Sequence, residues 1–176
     1  TFGAGPPIIA EVQRDPCVVT PSDQVQVSTM ITDNSTISQA FVHFRYDGGV
    51  WDSAAMSLGA DDIWQGDIPS SSSDDVFVEY YISAYDDGVD QIEIKSSHFP
   101  NIEVGNYMGY ISKNGDLTIY DIQFSPWPSG VSPYIDCSVT LTGIVTVDSL
   151  DYSTGSYNSY AMQSASAQWS GIFFDG

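Results

Sequence analysis

Three groups of residues in this chain have the types and spacing for chemistry: clustered acids, two histidines and two cysteines. The acids are densest in "DDGVD", where Asp86, Asp87 and Asp90 would bring hard oxygens to one turn; Asp61 and Asp62 form a second pair. Hard oxygens suit calcium, but the EF-hand loop needs more ligands and a closing Glu. Asp also belongs in tight turns because its side chain caps the backbone, so a plain turn is the first reading and calcium the second. His43 shares a strand face with Arg45 and Asp47, opposite Val42, Phe44 and Tyr46, and reads as a solvent-facing strand residue. His98 stands alone beside Pro100. No Ser-His-Asp arrangement can be assembled from these residues. No His/Cys cluster has zinc spacing, and no glycine-rich phosphate loop follows a strand. The expectation is a non-enzymatic protein that requires no cofactor, with calcium the one ion it admits. Cys17 and Cys137 are too few for a disulfide framework. A bridge between them would staple a long loop; unpaired thiols are at least as frequent an outcome, because sequence supplies no distance.

Charge narrows the partners. There are 23 acids against four bases (Arg14, Arg45, Lys95 and Lys113), for a net −19. Such a chain repels phosphate, which argues against nucleic acid, and it repels an anionic membrane surface. No apolar run approaches a membrane span, so no membrane insertion is expected. Starting at Thr1 without Met, the chain reads either as a fragment or as a mature chain whose signal has been removed. Scarce Lys and abundant Ser, Thr, Tyr, Gly and Asp suit a secreted bacterial surface protein. Covalent glycans fit the same setting. "NST" at Asn34 is a sequon in a predicted turn. "DSA" at Ser53 and "DSL" at Ser149 are similar to a bacterial Asp-Ser/Thr-small O-glycosylation signal.

The elements that must position these residues are strands. Helical periodicity is nearly absent, and period-two alternation recurs throughout. The inward set is Val25, Val27, Thr29 and Ile31 in one run, then Val42, Phe44 and Tyr46, then Val76, Val78, Tyr80, Ile82 and Ala84. "QIEIKSS" adds Ile92 and Ile94. With "IIAEVQR", "WDSAAMSL" and "DIWQGDI", this makes about seven strands in roughly 100 residues, separated by turn signals, which is the pattern of a β-sandwich. The fold class expected is all-β.

The stretch from "TMITDNSTISQAFVHFRYDGGVWDS" to "IWQGDIP" and "VEYYISAYDDG" resembles a bacterial extracellular immunoglobulin/fibronectin type III-like module, matching over roughly Ile8 to Val104. The resemblance implies a spacer or adhesive domain and no chemistry. Farther on, "YDIQ", "SPY" and "VTLTGIVTV", followed by "YAMQ" and "SGIFFDG", resemble the start of the OB-fold module attached to secreted nucleases and other cell-surface proteins. The expected organisation is an N-terminal extension 1–7, a sandwich 8–104, a linker 105–116 marked by Gly and Asn, and an incomplete OB-like β-barrel 117–176. Gly143 would permit the sharp bend a small barrel needs. Leu141, Val145, Ile172 and Phe174 would line the unclosed barrel. Tyr120, Phe124, Trp127 and Trp169 could stack on nucleic-acid bases. The only nearby base is Lys113, so core or interface roles are favoured.

Two functions follow. The first is an extracellular structural or adhesive protein, a self-assembling fibre subunit whose partners are other copies of itself. Phe2, Ala4, Ile8 and Ile9 of the extended "TFGAGPPII" segment would pair with the open edge at Ile172, Phe173 and Phe174 of a neighbour. The second is a non-catalytic targeting or spacer arm of a larger secreted nuclease or hydrolase. An isolated carbohydrate-binding module would need an aromatic platform, which the linear sequence does not place.

Overall fold

Alternating apolar side chains can bury one face of a strand only against another sheet, and the computed structural model shows that solution. It describes residues 5–88, 94–147 and 159–175. The chain divides into two compact units, Thr1–Asn114 and Gly115–Gly176.

The first unit contains β1 (Ile8–Asp15), β2 (Val25–Thr32), β3 (Ile37–Tyr46), β4 (Asp52–Ala55), β5 (Ser57–Leu58), β6 (Ile63–Ile68), β7 (Val76–Asp86), β8 (Ser96–Phe99) and β9 (Met108–Ser112). They form two antiparallel sheets. One has the order β1-β2-β6-β5; the other runs β4-β3-β7, with β8 and β9 both paired to β7. The 11-residue β7 divides its far edge: Ile82 to Tyr85 pair with β8, and Val76 to Tyr80 pair with β9.

The inner faces meet in one core. Val25, Val27 and Ile31 of β2, Trp64 and Ile68 of β6, Val42 and Phe44 of β3, and Val78, Tyr80 and Ile82 of β7 are all buried there. Each fully buried aliphatic of this kind contributes about 1.5–3 kcal/mol relative to exposure. Thr29 is buried among them, and its hydroxyl donates to the Ala10 carbonyl at 2.6 Å, so no polar group is left orphaned there. In β1 a bulge between Ala10 and Gln13 inserts one residue, with Glu11 at φ 53. The bulge re-phases the strand so that Ile9 and Arg14 lie opposite the inward Ile31 and Val27.

Two expectations are corrected. Residues 105–116 are not a linker: β9 lies within them, and Tyr110 is 1% exposed in the sandwich core. The Arg14 guanidinium ties β1 to this strand, donating to the Gly109 carbonyl at 3.0 Å and lying 5.4 Å from the Tyr110 ring centre. Gly105 and Asn106 mark the turn before the strand, and Gly109 interrupts the alternation that would have revealed it. Ile94 is not a core residue; it is 63% exposed and precedes β8. Ile92 lies outside the described residues.

The second unit holds a short helix α1 (Ile119–Gln123) and a three-stranded antiparallel sheet of β10 (Ile144–Val147), β11 (Ser159–Gln163) and β12 (Gly171–Asp175), in the order β10-β11-β12. The helix is a departure from the all-strand reading. It starts at a capping box: Thr118 Oγ1 accepts from the Asp121 N–H at 3.2 Å, and Asp121 Oδ2 accepts from the Thr118 N–H at 2.7 Å. Gly143 just precedes β10 and is needed for close approach: a Cβ there would come within 2.6 Å of Met162 Cγ and 3.0 Å of the Gln163 carbonyl. Val145 is 52% exposed, so it does not line an interior. Leu141 and Ile172 are half-buried, and Phe174 is described only by its backbone pairing with Tyr160. No helix among the described residues is long and apolar enough to cross a membrane.

Candidate functional site

Because side chains alternate, the inward sets of β3 and β7 leave a second set facing out. On β3 that set is Phe41, His43 and Arg45. Opposite them on β7 stand Ser83, Tyr81 and Glu79. β4 adds Ser53 beside His43, and β8 adds His98 beside Ser83. Trp51 and Tyr107, just ahead of β4 and β9, fold over the same area.

The result is an aromatic surface with an ion pair set into it. The His43 and Tyr81 rings stack, with centres 4.4 Å apart and planes 8° from parallel. Trp51 meets Tyr81 edge-on at 5.0 Å. Tyr107 lies 5.0 Å from Trp51 and 6.2 Å from Tyr81. Phe41 extends the surface to Tyr85 at 6.4 Å, and His98 closes on Tyr81 at 6.0 Å. All of these rings keep solvent exposure, from half-buried Tyr81 to exposed His98. The Arg45 guanidinium lies 4.5 Å from the Trp51 ring centre and 5.3 Å from that of Tyr107. Its Nε donates to Glu79 Oε2 at 2.7 Å. A planar cation held by two rings and a carboxylate is rigid and locally charge-neutral.

Titration on this surface follows its packing. Burial, then the neighbouring His98, lowers the His43 pKa below 6.5, so the ring is neutral near pH 7. Its Nε2 is 2.8 Å from the Ser83 hydroxyl, which is itself fully buried. Burial, then Tyr85 and Tyr107, raises the Tyr81 pKa above 10, so its phenol stays protonated. The surface therefore presents flat apolar rings, fixed guanidinium donors, and neutral groups that both donate and accept.

His43 thus lies on the outward face, as its alternation indicated, but it is a packed member of a cluster. Sequence reasoning missed that cluster. The clue was the outward set of β3 and β7, which is as aromatic as the inward one.

The other candidate residues are dispersed. Asp86 is fully buried, and its Oδ1 accepts from the Gly88 N–H at 3.1 Å and the Lys95 N–H at 2.8 Å, the turn-capping geometry. Asp87 follows it in the turn, donating its backbone N–H to the Thr36 carbonyl; Asp90 lies outside the described residues. No group of three or more metal-ligating side chains occurs among the described residues. Asn34 is exposed in the β2–β3 turn, near a cavity of about 290 Å³ lined by Ile31, Ile37, Leu58 and Trp64. Ser53 is exposed on β4, and Ser149 lies outside the described residues. Both Cys17 and Cys137 are disulfide-bonded, one of the two outcomes their sequence positions left open.

Of the segment read as free to pair with a neighbour, Phe2 and Ala4 lie outside the described residues. Ile8 and Ile9 are already used: they pair with Thr32 and Ile31 of β2, and Ile9 is in the core. Phe173 is 71% exposed on β12. In the second unit Tyr120 stacks on Phe124 at 5.2 Å, and Trp169 meets Phe124 edge-on at 6.5 Å. Trp127 is buried and offers no platform. Lys113 belongs to the first unit and pairs with Asp75 at 3.5 Å.

No protein-family model and no curated protein matches the chain. Among solved structures, a bromine derivative of BhCBM56, a carbohydrate-binding module, is similar at 12% identity and a TM-score of 0.33, covering 61% of this chain and 88% of that one. A likeness that weak carries no argument about this protein.

Proposed function

We propose that the chain is a non-enzymatic adhesive module of a secreted protein, and that it binds through the aromatic outer face of the β4-β3-β7 sheet. The observation that carries this reading is the Arg45–Glu79 pair set among Trp51, Tyr81 and Tyr107 on a solvent-facing sheet. Core packing does not require those rings, since the sandwich core lies on the other side of the sheet. The order β1-β2-β6-β5 against β4-β3-β7 supports an immunoglobulin/fibronectin-like sandwich, in which such a face is free for contacts. The disulfide-bonded cysteines fit an oxidising compartment outside the cell. The same surface would serve a targeting arm of a larger secreted enzyme. The test is retention of the purified chain on crude bacterial envelopes. Parent protein should be retained, and a Trp51→Ala, Tyr81→Ala double variant with an intact fold should not. Equal retention of both, or none of the parent, removes the reading.

A second reading, the self-assembling fibre subunit, draws on the second unit. β10 and β12 end their sheet, and Ile144, Val145 and Phe173 are exposed on them. Edges of this kind accept a strand from another copy. Deleting residues 1–7 leaves β1 and the sandwich whole. Loss of polymers in that variant supports strand donation, and a monodisperse, monomeric parent ends it.

A further inference from the structure

Resting on the binding-face reading, we propose that the ligand of this face is a neutral polysaccharide chain, laid along the outward residues of β3 and β7. Its chemistry matches what the face offers. Sugar rings present apolar C–H faces, and the half-buried Tyr81, Trp51 and Tyr107 rings offer flat apolar area against them. Each sugar hydroxyl both donates and accepts, as do the tyrosine phenols; His43 Nε2 is engaged with the Ser83 hydroxyl, which leaves Nδ1 of that ring. Arg45 adds donors in one fixed plane, and Glu79 acts as its positioning residue at 2.7 Å.

Other ligand classes fit less well. A proline-rich peptide carries few N–H groups, so it would leave the accepting groups of the face unanswered. A nucleic acid or acidic polysaccharide meets a chain of net charge −19 whose Arg45 is already neutralised. A cationic ligand finds the ring site between Trp51 and Tyr107 filled by Arg45 itself. Length points to a chain: Tyr81 and Tyr85, the accessible members of the outward set of β7, stand about 14 Å apart at ~3.4 Å per residue, more than one sugar ring occupies.

Affinity electrophoresis tests this with gels containing hydroxyethylcellulose, xylan, soluble starch or laminarin, and polygalacturonate as the acidic control. The parent chain should be retarded by at least one neutral polymer and not by polygalacturonate. Trp51→Ala should weaken that binding about tenfold, equivalent to about 1.4 kcal/mol, and Tyr85→Ala a few-fold. Gln65→Ala, on the outer face of the opposite sheet, should leave it unchanged. If Trp51→Ala disturbs the fold, an Arg45→Gln, Glu79→Gln double variant, in which the pair stays neutral, replaces it with the same expected loss. Retardation by polygalacturonate alone, or by no polymer, overturns the proposal. Envelope retention that depends on Trp51 and Tyr81 but survives periodate and fails after protease also overturns it, while leaving the binding face standing. Retention indifferent to Trp51 and Tyr81 removes both readings.

Discussion

The two sheets of the first unit bury similar inner faces and present unlike outer ones. Outward from the β1-β2-β6-β5 sheet stand Gln26 opposite Asp67 and Ser28 opposite Gln65, with Met30 opposite Ile63. Among the described residues no aromatic ring stands on that face. Outward from β3 and β7 stand Phe41, His43, Tyr81 and Tyr85, with Trp51 and Tyr107 folded over them. Both faces obey the same period of two and the same solvent. The difference lies in what the outward positions hold. A sheet that needs only solubility takes Gln, Ser and Asp there. Rings grouped around a paired cation are apolar area that water does not favour, and that grouping is what the proposed binding face rests on.

This contrast can be tested within one dipeptide. Tyr80 and Tyr81 are neighbours on β7 that point to opposite sides. Tyr80 is 3% exposed in the core, and Tyr80→Ala should cost about 3–5 kcal/mol in urea denaturation. A variant as stable as the parent would show that Tyr80 is not a core anchor. Tyr81→Ala, on the outer face, should cost less, about 1–2 kcal/mol, through lost ring contacts. A loss as large as that at Tyr80 would make the outer face a second core and weaken its claim as a binding surface.

The next effect is one of pH. His43 has a folded pKa below its ordinary 6.5, owing to burial and then to His98. Above 6.5 it is neutral in both folded and unfolded chains. As pH falls through 6.5 the unfolded chain takes up the proton first, so stability declines until the folded His43 protonates too. Urea midpoints measured from pH 7.5 to 5.5 should therefore fall more steeply for the parent than for His43→Gln. Parallel curves would assign the slope to other groups. The smallest change belongs to the opposite sheet, where Gln65→Ala should shift stability by no more than about 0.5 kcal/mol at any of these pH values; a larger shift would show that the polar face is also under constraint.

Much of the strand framework was legible before any coordinates, for a physical reason. Burying one side of a strand imposes period two on the sequence itself, and so β2, β3 and β7 announced both their positions and their inward residues, and β6 its position. The Asp86 turn was legible because a short carboxylate beside Gly88 has few better uses than capping the backbone. The α1 helix left a readable mark in Thr118 and Asp121, which was outweighed by the lack of helical periodicity in a helix of five residues. β9 was obscured by Gly109, because a residue without a side chain contributes nothing to alternation.

By itself, the sequence determined the all-β class, the inward set of the sandwich, and a charge that repels phosphate. Those properties are local or additive, and each can be read from neighbouring residues or from a sum. Only the tertiary structure decided that Phe41, His43, Arg45, Trp51, Tyr81 and Tyr107 share one surface, because those residues come from segments far apart in the chain. Their meeting depends on the register of β3 against β7 and on where β9 docks. The disulfide-bonded state of Cys17 and Cys137 was decided there too. Register and docking are set by the fit of the whole core, and no short window of sequence contains that fit.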